Sequence, residues 1–325
     1  MNRVTAKAWF LLFRPWSYTA TFVPFLVAAG LFGSQVARWG RWGIGLFCGL
    51  LFQATVNLLN TWGDERSGVD AVPGAVRTTP QVHDGLVSMR ALFLAAAVCA
   101  LAAGALGTGL CLFRADGADG AWQVDLPLLA AGFVGFLGST NYSTGIKFKY
   151  HGLGVPFVAF LMGPLEIFVA AELLHPHATF AALLDGRAPG AAAGFALLTL
   201  PVAALVCVIM HGNDMRDIPT DRAAGISTPS TLLGPRGALA LYWFCHLLPY
   251  LVCAKIVMTG RAAFLLPYFA LPLTARTLWK ATAVYRSHPD NPPWRGLERA
   301  SGGIHFLFGV LYAAAFACFK HLVLE

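Results

Sequence analysis

Two groups of oxygen-bearing side chains stand about half a chain apart: Asn60, Asp64 and Asp70, then Asn213, Asp214, Asp217 and Asp221. Each begins where a long apolar stretch ends. Crowded carboxylates beside a lipid core have little water to solvate them and call for a cation. The spacing narrows the chemistry. Asn60 and Asp64 are four residues apart, as are Asp217 and Asp221, and Asp214 is three before Asp217. Each set shares one face if its helix continues past the membrane edge. Oxygen-only ligands select hard metals, and Mg²⁺ commonly binds one or two carboxylates together with substrate phosphates. Basic side chains accompany the acids, namely Arg77, Lys147, Lys149, Arg216 and Arg222. Arginine grips phosphate oxygens bidentately and lysine acts as a point charge. The combination suits a metal-bridged diphosphate better than a simple cation site.

The elements that position these groups are membrane helices. Of the 325 residues, 57% are apolar and only 12% charged, too few charges for a soluble chain of this length. Nine apolar stretches, near 15–33, 42–62, 90–113, 126–144, 153–174, 189–212, 237–258, 262–284 and 302–322, are long enough to span a bilayer. About 20 helical residues cover its roughly 30 Å core. No cleavable signal peptide is expected ahead of Arg14-Pro15-Trp16. Fourteen of the Lys and Arg residues fall on the side of the N-terminus and seven on the other, so the positive-inside rule puts the N-terminus and both acidic groups in the cytoplasm. The net charge of +7 follows from this topology, and with no basic run interleaved with aromatics nucleic acid is not an expected partner. All seven cysteines lie inside apolar stretches without metal spacing and read as small buried side chains. The expected fold is all-α, a polytopic membrane protein forming one domain over residues 1–325. Its loops over 63–89 and 212–237 carry the two acidic groups.

Each feature has a plainer reading. Asn and Asp at helix ends are ordinary caps; two matched groups on one side of the membrane favour a site. Asp116, Asp119 and Asp125 lie in a Gly-containing outer loop with no matching Asn or Arg, and are expected to be solvated. Lys149 also serves as a positive-inside anchor and Tyr142 as an interfacial belt residue. Glu166, inside a span, is a functional candidate by default, or else neutral or paired with Arg or His across the bundle. His246 and His305 are expected to be packed or hydrogen-bonded. A carrier of a phosphorylated or divalent solute would use similar carboxylates, but would carry ionisable groups near the midplane of corresponding halves.

The motifs Asn60-Thr61-Trp62-Gly63-Asp64 with Gly68 and Asp70, and Asn213-Asp214-Met215-Arg216-Asp217 through Asp221 to Gly225, resemble the paired aspartate motifs of the UbiA superfamily of intramembrane prenyltransferases. Within it they look most like the 1,4-dihydroxy-2-naphthoate polyprenyltransferases of menaquinone synthesis. Supporting stretches are Arg14-Pro15-Trp16-Ser17, Lys149-Tyr150-His151-Gly152-Leu153-Gly154, Gly163-Pro164-Leu165, and Thr228 with Leu233-Gly234. Thr61 stands where these enzymes usually have Asp, a departure expected to bear on a metal contact or on the acceptor; Pro219 and Ser227 alter the second motif.

The resemblance implies nine helices around a central cavity, open to lipid on one side and roofed by cytoplasmic cap segments. It implies Mg²⁺-dependent transfer from a polyprenyl diphosphate to an aromatic acceptor. The metal ligands it implies are Asn60, Asp64, Asp70, Asp214, Asp217 and Asp221, with Arg77, Lys149 and Arg216 on the phosphates, Asp64, Asp217 and Lys149 central to catalysis, and Tyr142 near acceptor or diphosphate. Hydroxybenzoates, other quinone precursors, haem, chlorophyllide or a glycerol phosphate ether are alternative acceptors.

Overall fold

The computed structural model describes residues 3–33, 36–67, 80–114, 121–143, 145–146, 148, 151–176, 183 and 190–318. Its helices are α1 (Arg3–Phe13), α2 (Thr19–Phe32), α3 (Trp39–Ser67), α4 (Met89–Leu110), α5 (Leu126–Ser143), α6 (Gly154–Phe160), α7 (Glu166–Leu174), α8 (Ala191–Ala223), α9 (Pro229–Val257), α10 (Leu271–Ser287) and α11 (Leu297–Ala317). A 3₁₀ turn, Pro15–Tyr18, joins α1 to α2, and a π-helical turn, Leu161–Leu165, joins α6 to α7. Among the described residues, seven segments are long and apolar enough to cross a membrane. Two of the nine expected spans differ from the rest. That near 126–144 is the 18-residue α5. That near 262–284 is divided into a 3₁₀ segment, Ala262–Ala270, and the 17-residue α10.

Side chains are sorted as a lipid solvent requires. Val98 and Leu101 on α4 and Val134 and Leu137 on α5 are exposed apolar side chains, while the helices satisfy most of their backbone amides internally, α9 being kinked at Gly234. The packed core lies among α2, α7, α8, α9 and α11, where Phe264, Phe308, Tyr312 and Phe316 stack edge to face or tilted. Tyr312 Oη donates to the Leu198 carbonyl at 3.0 Å, and Tyr242 Oη lies 2.7 Å from Ser301 Oγ. His246 and His305 are hydrogen-bonded as expected, His246 Nδ1 to the Tyr242 carbonyl and His305 Nδ1 to Thr19 Oγ1. Small residues set the closest approach: a Cβ on Gly309 of α11 would overlap Val23 of α2.

At the end away from the acidic groups the outer segment corrects the sequence reading. Strands β1 (Leu112–Arg114) and β2 (Trp122–Val124) form an antiparallel hairpin. Asp125 is not solvated but fully buried. One carboxylate oxygen caps α5 by accepting the Leu128 N–H at 3.1 Å, and the other pairs with Arg41 Nη2 at 3.3 Å. Arg41 also donates to the Leu110 carbonyl at 2.5 Å. The end of α4 and the start of α5 are thus both held by α3, and burial is tolerated because charge and lone pairs are matched. Asp116 and Asp119 lie outside the described residues.

Candidate functional site

Asn60 and Asp64 of the first acidic group, and the whole of the second, sit on helices that run on past their apolar stretch: α3 continues to Ser67 and α8 to Ala223. The start of the expected loop over 212–237 is therefore helical. Asn60 and Asp64 fall on one face of α3, and Asp214, Asp217 and Asp221 on one face of α8. Asp221 lies in the last turn of α8, where the helix dipole disfavours an acid. Local propensity does not account for a carboxylate there; a cation would.

The chain beyond Asp221 is built to stop one helix and start another. Gly225, at φ 69°, occupies the left-handed position after the cap. Ile226 N–H donates to the Asp221 carbonyl at 2.8 Å and Gly225 N–H to the Arg222 carbonyl at 3.2 Å, the paired bonds of a Schellman ending. Thr228 then caps α9 through a reciprocal pair with Thr231, and Pro229 follows at the first helical position. His151, two residues after Lys149, bridges in parallel to Ser227 in this turn. From His151 onward, this stretch therefore meets the turn that follows the second acidic group.

Arg216 grips Asp217 bidentately, Nε to Oδ1 at 2.7 Å and Nη2 to Oδ2 at 2.6 Å. Behind it stands Glu298, in the first turn of α11, whose Oε1 is 3.9 Å from Arg216 Nη1. Gly212 permits this arrangement. A Cβ there would come 3.0 Å from the Glu298 backbone nitrogen, so a larger residue would push the start of α11 a few tenths of an ångström from α8, one turn before Arg216. Sequence reasoning missed Glu298; its position at a helix N-terminus, favourable for an acid, was the available signal.

The two motifs share a wall. Arg14, just before the 3₁₀ turn, donates from Nη2 to Thr61 Oγ1 on α3 at 3.4 Å. Two residues on, the Trp16 ring lies 4.7 Å under the Arg299 guanidinium, next in chain to Glu298. Arg14-Pro15-Trp16 therefore connects both half-sites at the same end of the bundle. Thr61 itself is fully buried and donates to the Asn57 carbonyl at 3.1 Å. One residue past Asn60 is about 100° around the helix, so Thr61 faces Arg14 rather than the Asn60 face. Thr61→Asp is expected to shift the metal requirement of activity by less than about threefold, read by Mg²⁺ titration; a tenfold shift would put residue 61 in the metal shell.

The structure brings Asp214, Arg216, Asp217 and Asp221 together on α8 and places Asn60 on α3. Asp214 and Asp221 are mostly buried, and Tyr142 is buried at the end of α5. Asp64 belongs to α3, although its side chain lies outside the described residues, as do Asp70, Arg77, Lys147 and Lys149 altogether. Among the described residues no three His, Cys, Asp or Glu side chains form a ready metal cage. The oxygen donors present fit Mg²⁺ held jointly with a ligand's own oxygens, which is how that ion is usually bound.

Beside the motifs lies a cavity of about 430 Å³ between α2, α3, α4, α5 and α7. It reaches Leu59, next to Asn60, and Thr140, two residues before Tyr142, and is walled mainly by apolar groups such as Phe25, Phe52 and Leu173. The site can thus hold a charged group at its rim and a hydrocarbon chain below it.

A model of the UbiA prenyltransferase family matches residues 21–307. The chain is 27% identical over 321 residues to the human UbiA prenyltransferase domain-containing protein 1, covering 96% of this chain and 86% of that protein. It is also 27% identical over 328 residues to the Drosophila melanogaster homolog of that protein, covering 97% and 81%. Among solved structures, a UbiA homolog from Archaeoglobus fulgidus bound to GPP and Mg²⁺ superposes with a TM-score of 0.59 at 18% identity, covering 96% of this chain and 99% of the other.

Proposed function

Because this chain belongs to the UbiA prenyltransferase family, we propose that it transfers a polyprenyl group from polyprenyl diphosphate to an aromatic acceptor in a Mg²⁺-dependent reaction, with 1,4-dihydroxy-2-naphthoate, the precursor in menaquinone synthesis, as the first candidate. The observation that carries this reading is the pairing of two acid-bearing helix ends, joined through Arg14-Pro15-Trp16, with an apolar cavity beneath them. The Archaeoglobus homolog binds GPP, a prenyl diphosphate, together with Mg²⁺, which supports the same ligands here.

Asn60, Asp64, Asp70, Asp214, Asp217 and Asp221 hold the metal, and Arg77, Lys149 and Arg216 bind the phosphate oxygens. Mg²⁺ supplies neutralisation of the charge that builds on the departing diphosphate. On binding, Arg216 exchanges its Asp217 partner for phosphate and is steadied by Glu298. The allylic C–O bond breaks with its electron pair leaving on diphosphate. The cavity shields the allylic cation from water and so prevents hydrolysis. The electron-rich ring carbon then attacks C1 and loses a proton, or CO₂ where that carbon bears a carboxylate. Tyr142 stands near the acceptor or the diphosphate. The site opens to the cytoplasm, with the N-terminus on the same face of the inner membrane, as the fourteen-to-seven bias of basic residues favours.

The deciding experiment incubates purified protein with Mg²⁺, prenyl diphosphates of several lengths and a panel of acceptors, read by mass spectrometry. A prenylated naphthoquinol is the expected product. Prenylation of a hydroxybenzoate or glycerol phosphate ether instead would move the acceptor assignment. Diphosphate binding without any product would favour the carrier.

A further inference from the structure

The cavity is apolar along most of its length, yet Thr21, Gln53 and Glu166 line it too. Glu166 follows the π-helical turn Leu161–Leu165, which contains Pro164; such turns insert an extra residue and re-aim the side chains after them. Thr21 stands beside the Glu166 carboxyl in the cavity wall. Gly49 of α3 stands beside both: a Cβ there would come 2.9 Å from Thr21 Cγ2 and within ordinary contact, 3.7 Å, of Glu166 Oε1. The other oxygen, Oε2, is buried without a partner.

Gln53 lies one turn along α3 from Gly49 and is 7% exposed. Its Nε2 donates to Ser17 Oγ and to Asn57 Oδ1, each at 3.4 Å, and Asn57 is fixed by donating to the Phe13 carbonyl and to Ser17 Oγ, both at 2.8 Å. This network sets which end of the Gln53 amide is spoken for. Its Oε1 is buried without a partner. Glu166 has no Arg or His across the bundle among the hydrogen bonds and ion pairs of the described residues. Two buried oxygens in one apolar cavity are costly unless something meets them.

The geometry points to Glu166 and Gln53 as the pair that recognises a ring hydroxyl of the acceptor, an assignment that rests on the prenyl-transfer reading. A prenyl chain offers only C–H groups and leaves both oxygens unmet. A hydroxyl meets them both: its O–H donates to one oxygen, and its own oxygen accepts from the carboxyl when that carries a proton. Depth agrees. Gln53 is seven residues before Asn60, about 10 Å along the axis at 1.5 Å per residue. A ring bound there lies under the diphosphate end, where C1 of the prenyl group must meet it. The pair is therefore a specificity determinant for hydroxylated acceptors. No bond is made or broken at either side chain.

The test uses the full chain in nanodiscs with Mg²⁺, a prenyl diphosphate, and either 1,4-dihydroxy-2-naphthoate or 4-hydroxybenzoate, each beside its O-methyl ether. Glu166→Leu is expected to raise the acceptor KM roughly tenfold or more, with the prenyl diphosphate KM and the product chain lengths unchanged, while Glu166→Gln stays within about threefold of the parent because it keeps a donor and an acceptor. The ether loses a similar factor on the parent protein and nothing further on Glu166→Leu. An unchanged acceptor KM overturns the assignment. So does a shift in chain-length preference, which would make the pair a polar stop for the tail. If Glu166→Leu does not fold, Gln53→Leu and the ether comparison on the parent carry the test, and equal KM values for hydroxyl and ether overturn it. An inactive parent that still binds GPP sinks the prenyl-transfer reading itself; an active parent indifferent to Glu166→Leu sinks only this assignment.

Discussion

Asp217→Ala is expected to lower kcat by about 1,000-fold or more while the protein still inserts and binds detergent or lipid as the parent does. The carboxylate is only partly buried, and its one strong contact is the bidentate pair with Arg216. Removing it does not strand Arg216, because Glu298 remains 3.9 Å away. Stability should therefore change little, and the loss should appear in turnover. Asp64→Ala is expected to act alike from the facing helix. The measurement is a single-turnover rate at saturating prenyl diphosphate, beside a thermal unfolding curve. Near-normal turnover in either variant would remove that residue from the metal site.

Chelation should abolish the reaction outright, and added Mg²⁺ or Mn²⁺ should restore it. The expected loss is at least as large as that of Asp217→Ala, because an unneutralised diphosphate is a poor leaving group in a cavity that excludes water. Arg216 is occupied by Asp217 and so cannot replace a divalent ion without breaking that pair. Turnover that survives thorough chelation would reject the metal-bridged mechanism, whatever the acceptor.

How far the site was legible in the sequence depends on whether its contacts are local. Asn60 with Asp64, and Asp214 with Asp217 and Asp221, are related by helical periodicity, so their shared faces follow from spacing once the helices are known to continue. Gly225 and Thr228 are likewise local, a helix stop and a cap that turn chemistry anticipates. Glu298 was invisible because its partner is 82 positions upstream and only the close approach at Gly212 brings them together. Asp125 was misread for the same reason: its neighbours in sequence, Trp122 to Val124 and Leu126 to Leu128, include no cation, whereas its neighbour in space is Arg41. Thr61 looked like a departure within a motif, and only the placement of Arg14 shows which way it faces. The division of the span near 262–284 into a 3₁₀ segment and α10 was also beyond hydropathy, which registers apolar length but not the geometry that Pro267 accompanies.

The bundle is tied at both ends. Away from the motifs, Arg41 binds the Leu110 carbonyl and Asp125, Arg38 N–H donates to the Leu174 carbonyl at 2.9 Å, and His175 Nε2 reaches the Phe32 carbonyl at 2.7 Å. Helices α2, α3, α4, α5 and α7 are thereby stapled at one end by short bonds. At the motif end the described links include equally short ones: Asn57 of α3 donates to the Phe13 carbonyl and to Ser17 Oγ at 2.8 Å, beside the longer reach of Arg14 to Thr61 at 3.4 Å. Helix α3 is thus pinned near both of its ends, and the cavity it lines between them is a slot of set span, against which the length of a hydrocarbon chain is measured.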